Sequence, residues 1–210
     1  MSPNFLRVST LDDIAFVEYG FGMRQDGDWL ESTTCTTVRQ VHSGRVLEAT
    51  EAGVAGEGDA LVTNRPGLFV AIRTADCVPI LLADPRKRAV AAVHAGWRGT
   101  VAAILTRTLE RMAHRYSTDP ADVHVAMGPA ILSCCYEVGE EVAAQFGRMG
   151  RCSIDLIGEN RRQAEAAGVR AENIQSLDLC TSCNPGWFYS FRKEREAAGR
   201  MTSAIGIVNA

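Results

Sequence analysis

A chain of 210 residues has the length of one ordinary domain or slightly more. Its hydrophobic fraction of 46% and charged fraction of 22% belong to a folded globular protein and exclude a disordered one. A net charge of −3 supplies no basic field for a phosphate backbone, so no nucleic-acid partner is expected.

The first residues, Met1 to Arg7, contain no apolar run of signal-peptide length. Short β-branched runs at 14–19, 36–41 and 45–48 predict strands, each bounded by Gly, Asp or Ser. Between the first two, Tyr19-Gly20-Phe21-Gly22 leads into a short polar stretch at 23–34. The glycine-rich segment 53–59 predicts a mobile loop.

Three continuous apolar runs follow, at 68–72, 78–83 and 89–93. Strands of this kind are covered on both faces, which predicts helices packed over the sheet. The stretch 68–83 is interrupted by Arg73 and Asp76 and is too short to span a bilayer, so no membrane partner is expected. Residues 84–87, Asp-Pro-Arg-Lys, predict a tight turn.

Thr100 is a good N-cap, and Ile104, Leu105, Leu109 and Met112 recur at helical spacing down to Tyr116. Further helices are predicted over about 137–149 and 155–167, the second stopped by Gly168. Strands at 123–127, 187–191 and 203–208 complete the order. Without regular βαβ alternation and without a linker, the pattern predicts one α+β domain over 1–210, a mixed β-sheet core with helices packed over it.

Four histidines are the scarcest chemical resource, and His42 and His94 each end an apolar run. Cys77 holds a matching place in Thr74-Ala75-Asp76-Cys77-Val78-Pro79. Two imidazoles and a thiolate suit zinc, leaving a fourth position for a water acidified toward about pH 7. A single histidine after a strand is more often structural, a buried cysteine is usually a small hydrophobe, and these spacings match no short zinc signature. A nucleophile pair in which His94 activates Cys77 competes with the metal reading, and spacing does not decide between them.

Five blocks in order carry a resemblance. They are Gln40-Val41-His42, the Thr74–Pro79 block, and His94-Ala95-Gly96-Trp97-Arg98-Gly99, then Met127-Gly128-Pro129-Ala130-Ile131 with Cys134-Cys135-Tyr136-Glu137-Val138, and Leu177-Asp178-Leu179-Cys180-Thr181 with Tyr189-Ser190-Phe191-Arg192. From about residue 36 to the end the chain resembles the laccase-domain proteins, also called polyphenol oxidase-like or peptidoglycan editing factor proteins. The resemblance implies a mixed α+β fold and a zinc ion held by His42, Cys77 and His94 in a surface pocket. It also implies phosphorolysis of purine nucleosides, S-methyl-5'-thioadenosine included, and deamination of adenosine. The implied partners are a purine nucleoside and phosphate.

Around that site, Arg98 is placed to bind phosphate with the N–H groups of a helix start, and Arg73 and Arg192 are candidates for phosphate or ribose. Asp76 is a candidate for orienting an imidazole or moving a proton. Gln40 reaches the pocket only if its strand bends. For Arg98 and Asp76 the plain alternatives are a surface guanidinium and a turn carboxylate. Trp97, Trp187 and Phe188 either wall a purine pocket or pack the core.

Two other activities compete: a cysteine hydrolase or amidase editing peptidoglycan precursors, and a copper-dependent polyphenol oxidase. A non-enzymatic metal-dependent binding module is the third alternative. Two histidines and a cysteine also make a blue-copper ligand set. A multicopper oxidase needs a further imidazole-rich cluster, and only His114 and His124 remain for it, which disfavours the oxidase.

Seven cysteines, an odd number in a chain long enough to build its own core, are expected to be reduced thiols in a cytoplasmic protein. Cys180-Thr181-Ser182-Cys183, without a second pair at zinc-finger spacing, is expected to be structural, and the adjacent Cys134-Cys135 to be packed thiols.

Overall fold

The computed structural model describes residues 5–24, 30 and 34–208, so most of the polar stretch 23–34 lies outside the described residues. In chain order the first elements are β1 (Phe5–Leu6), α1 (Ser9–Asp12), β2 (Val17–Gly22), β3 (Cys35–Arg39), β4 (Val46–Glu48), β5 (Gly53–Glu57) and β6 (Ala60–Thr63). Three long strands follow, β7 (Phe69–Thr74), β8 (Val78–Asp84) and β9 (Ala89–Ala95). Then come α2 (Trp97–Val101), α3 (Ile104–Tyr116), β10 (His124–Met127), β11 (Glu137–Val138) and α4 (Glu140–Gln145). The last are β12 (Cys152–Ser153), α5 (Leu156–Ala166), β13 (Ile174–Ser176), α6 (Phe191–Glu194) and β14 (Met201–Ile207).

The strands form two mixed six-stranded sheets. Their orders are β1-β2-β14-β7-β3-β5 and β13-β10-β8-β9-β6-β4, and β11 pairs with β12 separately. The architecture is α+β, as the sequence predicts, but the cover over the apolar strands differs from the expectation. Every residue of β8 and β9 is buried. Side chains alternate across a strand, so Leu81, Ala83, Val90 and Ala92 face one core, shared with Tyr19, Phe21, Val70, Ile72 and Ile205 of the first sheet. Ile80, Leu82, Ala91 and Val93 face a second core, shared with Leu105, Leu109 and Met112 of α3 and Ile157 of α5. Helices cover one face and a second sheet covers the other. Each fully buried Leu or Ile contributes about 1.5–3 kcal/mol to this three-layer packing.

The predicted turn is present: Asp84 Oδ1 accepts hydrogen bonds from the N–H of Arg86 at 2.8 Å and of Lys87 at 2.9 Å. Asp155 Oδ1 accepts the N–H of Gly158 at 2.9 Å and starts α5, and Gly168, at φ 101°, follows its end.

Four predicted elements are corrected. Residues 53–57 form an edge strand rather than a loop, pairing parallel with β3, because an edge tolerates glycine and exposure. The helix expected from Thr100 is two helices, separated where Ala103 adopts a left-handed conformation at φ 54°. The helix expected over 137–149 shrinks to α4, with Gly147 and Gly150 at positive φ closing it, and its first residues pair with β12 instead. Residues 187–191 form no strand; Ser190 accepts the N–H of Lys193 and caps α6. No helix among the described residues is long and apolar enough to cross a membrane.

Candidate metal site and the arginine-lined cleft

His42, Cys77 and His94 come together. One ligand atom from each lies within 4.8 Å of the others, and the two imidazole rings stand 4.9 Å apart, edge to face. Three different elements deliver them. His42 follows β3 at φ 57°, Cys77 sits in the β7–β8 turn after Asp76 at φ 85°, and His94 lies within β9. Close approach to Cys77 also needs a bare backbone: a Cβ on Gly96 would come within 2.8 Å of Cys77 Sγ and 3.4 Å of the His42 ring.

The residue that organises the trio is Asp59, which the sequence reading assigned to a loop. It directly precedes β6, whose antiparallel pairing with β9 sets it beside His94. Its Oδ1 accepts from His94 Nδ1 and from the His42 backbone N–H, both at 2.9 Å. Its Oδ2 accepts from the Ser43 N–H at 2.6 Å and from Ser43 Oγ at 2.8 Å. One buried carboxylate thus fixes the ring of one histidine and the backbone of the other. With Nδ1 of His94 engaged, its Nε2 is left for a metal, the usual carboxylate–histidine–metal relay.

The electrostatics follow from that contact. Burial opposes ionisation of Asp59, but the hydrogen bonds from His94 and Ser43 outweigh it and hold the carboxyl at about 2. Burial likewise opposes the charged form of His94, yet Asp59 and Cys77 raise it to about 9. Cys77 resists ionisation through burial, while His42 and His94 bring it down to about 6. A thiolate beside two imidazoles, one anchored by a carboxylate, fits the donor set of a borderline-soft divalent ion.

The trio opens into a cleft of about 870 Å³. All the remaining predicted site residues, Gln40, Arg73, Asp76, Arg98 and Arg192, line it. Their contacts modify the expected roles. Gln40 is fully engaged with the backbone of Arg73: its Nε2 donates to the carbonyl oxygen and its Oε1 accepts the N–H, both at 2.8 Å. It continues the contact between β3 and β7 beyond the end of β3. Asp76 touches neither imidazole. Its Oδ1 accepts from Thr181 Oγ1 and its Oδ2 from the backbone N–H of Arg192, both at 2.6 Å. The orienting carboxylate is Asp59, and Asp76 is a strut that seats α6.

The guanidinium of Arg98 lies 4.3 Å over the Trp97 ring. That of Arg192 donates to the Cys135 carbonyl at 2.9 Å and lies 5.2 Å over Tyr136. The sequence reading missed Tyr136, Arg195 and Arg200, which also line the cleft. Five arginines thus face one space, and among the described residues Asp76 is the only carboxylate lining it and is already engaged. Of the three aromatic candidates only Trp97 lines the cleft; Phe188 is wholly buried in the fold, and Trp187 is exposed. His114 sits on α3, and His124 Nδ1 is hydrogen-bonded to Thr10 Oγ1 at 3.0 Å, so neither joins the trio.

Two histidines and a thiol gathered by one carboxylate beneath an arginine-rich cleft make a candidate metal site in an α+β fold. The chain belongs to the family described as multi-copper polyphenol oxidoreductase laccase, whose model matches residues 9–208. Among its relatives, a purine nucleoside phosphorylase from Deinococcus radiodurans is 44% identical over 180 residues, covering 81% of this chain and 69% of that protein. Adenosine deaminase RL5, from an unknown prokaryotic organism, is 38% identical over 191 residues, covering 80% of this chain and 72% of that one. The crystal structure of YlmD from Geobacillus stearothermophilus superposes with a TM-score of 0.91 at 27% identity, covering 100% of this chain and 98% of that one.

Proposed function

We propose that the chain is a metal-dependent purine nucleoside phosphorylase that also deaminates adenosine, with zinc at His42, Cys77 and His94 and with S-methyl-5'-thioadenosine among its substrates. The observation that carries this reading is the ligand trio opening directly into a cleft faced by five arginines. The named activities of the relatives support it. The seven free thiols support a cytoplasmic location.

Held by His42, Cys77 and His94, an ion would supply Lewis acidity, polarising an oxygen or nitrogen of the substrate. The chain's own groups do the rest. Arg73, Arg98 and Arg192 hold phosphate as an anion, and Trp97 and Tyr136 offer ring faces to a purine. Asp76 keeps Arg192 at the cleft wall through its backbone. In phosphorolysis a phosphate oxygen bonds to C1', the bond from C1' to the purine nitrogen breaks, and the base leaves with that electron pair and takes a proton. In deamination, water adds at C6 and ammonia departs.

The direct test is release of free purine from adenosine and inosine, with and without phosphate, using metal-replete and chelator-treated protein. Phosphate-dependent release that disappears on chelation and returns with zinc is expected. Equal turnover in fully metal-free protein would overturn the metal assignment.

A second reading is favoured by one contact chain: Cys77, His94 and Asp59 stand in the order of a thiol nucleophile, its base and an orienting carboxylate. It corresponds to a cysteine hydrolase acting on peptidoglycan precursors. Under that reading, alkylating Cys77 inactivates metal-free protein that had remained fully active before treatment.

A further inference from the structure

Outside the cleft, a second group of ligands converges. Cys134 and Cys135, expected to be packed thiols, meet Cys180 and Cys183, expected to lack a partner pair. The pairs stand far apart in sequence, and the fold unites them. β10 and β13 run parallel and adjacent, so the segments leaving their ends travel side by side. The bridge between Ala130 and Cys180 continues that pairing, with Ala130 N–H donating to the Leu179 carbonyl at 3.2 Å and Thr181 N–H to the Ala130 carbonyl at 3.0 Å. A turn at Leu132, whose carbonyl accepts the N–H of both Cys135 and Tyr136 at 2.9 Å, then brings the adjacent cysteines to the same point.

The distances identify the geometry. All four sulfurs lie within 4.8 Å of one another. Cys135 Sγ is 3.4 Å from Cys183 Sγ, Cys134 Sγ is 3.7 Å from Cys183 Sγ, and the Cys134 and Cys135 sulfurs are 3.9 Å apart. Four sulfurs placed tetrahedrally at a zinc–sulfur distance of about 2.3 Å are separated by about 3.8 Å. The observed values bracket that edge and exceed a disulfide bond by far. Four thiols gathered around a point otherwise make poor neighbours, being weak hydrogen-bond donors and acceptors with two of them, Cys134 and Cys183, exposed. The sulfur of Cys180 also accepts backbone N–H hydrogen bonds from Leu132 and Cys183, the second closing the loop of its own Cys-x-x-Cys.

We propose that Cys134, Cys135, Cys180 and Cys183 form a second metal site, a closed tetrathiolate centre for one soft tetrahedral ion, zinc foremost. Binding displaces the thiol protons to solvent and leaves no open position, so the site is structural and not catalytic. Its place explains its use. The segment it clamps carries Ile131 and Tyr136 of the cleft wall, the Cys135 carbonyl receives Arg192, and Thr181 beside Cys180 donates to Asp76. The ion would lock together two loops that the Ala130–Leu179 and Thr181–Ala130 backbone hydrogen bonds already bring side by side.

The test reads metal, so it stands apart from any failure of the nucleoside reading. Protein purified in zinc-containing buffer should hold two equivalents per chain, falling to one in His94→Ala and to one in Cys183→Ser. Reconstituting His94→Ala with cobalt should give the near-ultraviolet charge-transfer and visible bands of a tetrahedral four-thiolate ion. Should Cys183→Ser fail to fold, Cys134→Ser, at an exposed position, makes the same comparison, and the cobalt spectrum needs neither variant. A content of one ion that both cysteine variants retain would overturn the proposal. So would loss of all metal in His94→Ala, or titration of only two free thiols in this group beside a Cys135–Cys183 disulfide.

Discussion

At the scale of single residues, the site depends on a carboxylate rather than on its ligands alone. Asp59 is fully buried, and its low pKa links it to stability. A depressed carboxylate stabilises the fold above its unfolded value near 4 and loses that contribution as pH falls toward about 2. The shift corresponds to about 2 kcal/mol. Asp59→Asn should therefore flatten the acid limb of the stability–pH curve, followed by urea unfolding between pH 2 and 6. Metal affinity should fall about 10–100-fold, as when other imidazole-orienting partners are lost; isothermal titration with zinc measures it, and unchanged affinity would contradict the orienting role. His42, Cys77 and His94 are conspicuous in the sequence by their places at strand–loop junctions, but those places leave a metal trio and a Cys–His pair open, and only the family blocks around them single out the trio. Asp59 was not legible, because Gly56 and Gly58 beside it look like loop formers while the chain there serves an edge strand and a strand entry. Arg195 and Arg200 were hidden too, since nothing local shows that the segment after α6 folds back over the cleft.

At the scale of elements, the errors have local causes. Helical spacing continued through 100–116, yet Ala103 sits at φ 54° with ψ 43° and splits α2 from α3. The break turns α2 so that Thr100 meets α5: Asn160 Nδ2 donates to Thr100 Oγ1 at 3.0 Å and Gln163 Nε2 to the Thr100 carbonyl at 2.8 Å. A left-handed alanine costs about 1 kcal/mol that glycine avoids, partly offset by glycine's looser unfolded chain. Ala103→Gly should leave the protein as stable or up to about 1 kcal/mol more stable in chemical denaturation; a loss above that size would mean the two helices are joined differently. Strand prediction succeeded where the apolar run was continuous, at β7, β8 and β9, and failed at 187–191, where aromatic content imitated a strand but Ser190 caps a helix.

At the scale of the molecule, the continuous apolar strands revealed that both faces are covered but not by what. Period-two alternation cannot distinguish a helix cover from a sheet cover when both neighbours are apolar. The second sheet supplies Tyr19, Phe21, Val70, Ile72 and Ile205 against Leu81 and Val90. Leu81→Ala opens a cavity between the sheets and should cost about 2–5 kcal/mol, seen as a lowered urea midpoint with unchanged slope. A cost under about 1 kcal/mol would show that the layers relax together.

The carboxylate contact beneath the trio has a consequence for how an ion arrives. His94 is held within β9, and Asp59 accepts from its ring and from the His42 backbone N–H, so the chain's own contacts build the cradle. Loading then requires little chain reorganisation, unlike in zinc fingers, where the chain is unordered until the ion enters. A ready-made cradle selects by ligand chemistry and by local supply rather than by coupled folding. Exchanging one borderline-soft ion for another at such a cradle would alter reactivity while the architecture stays put.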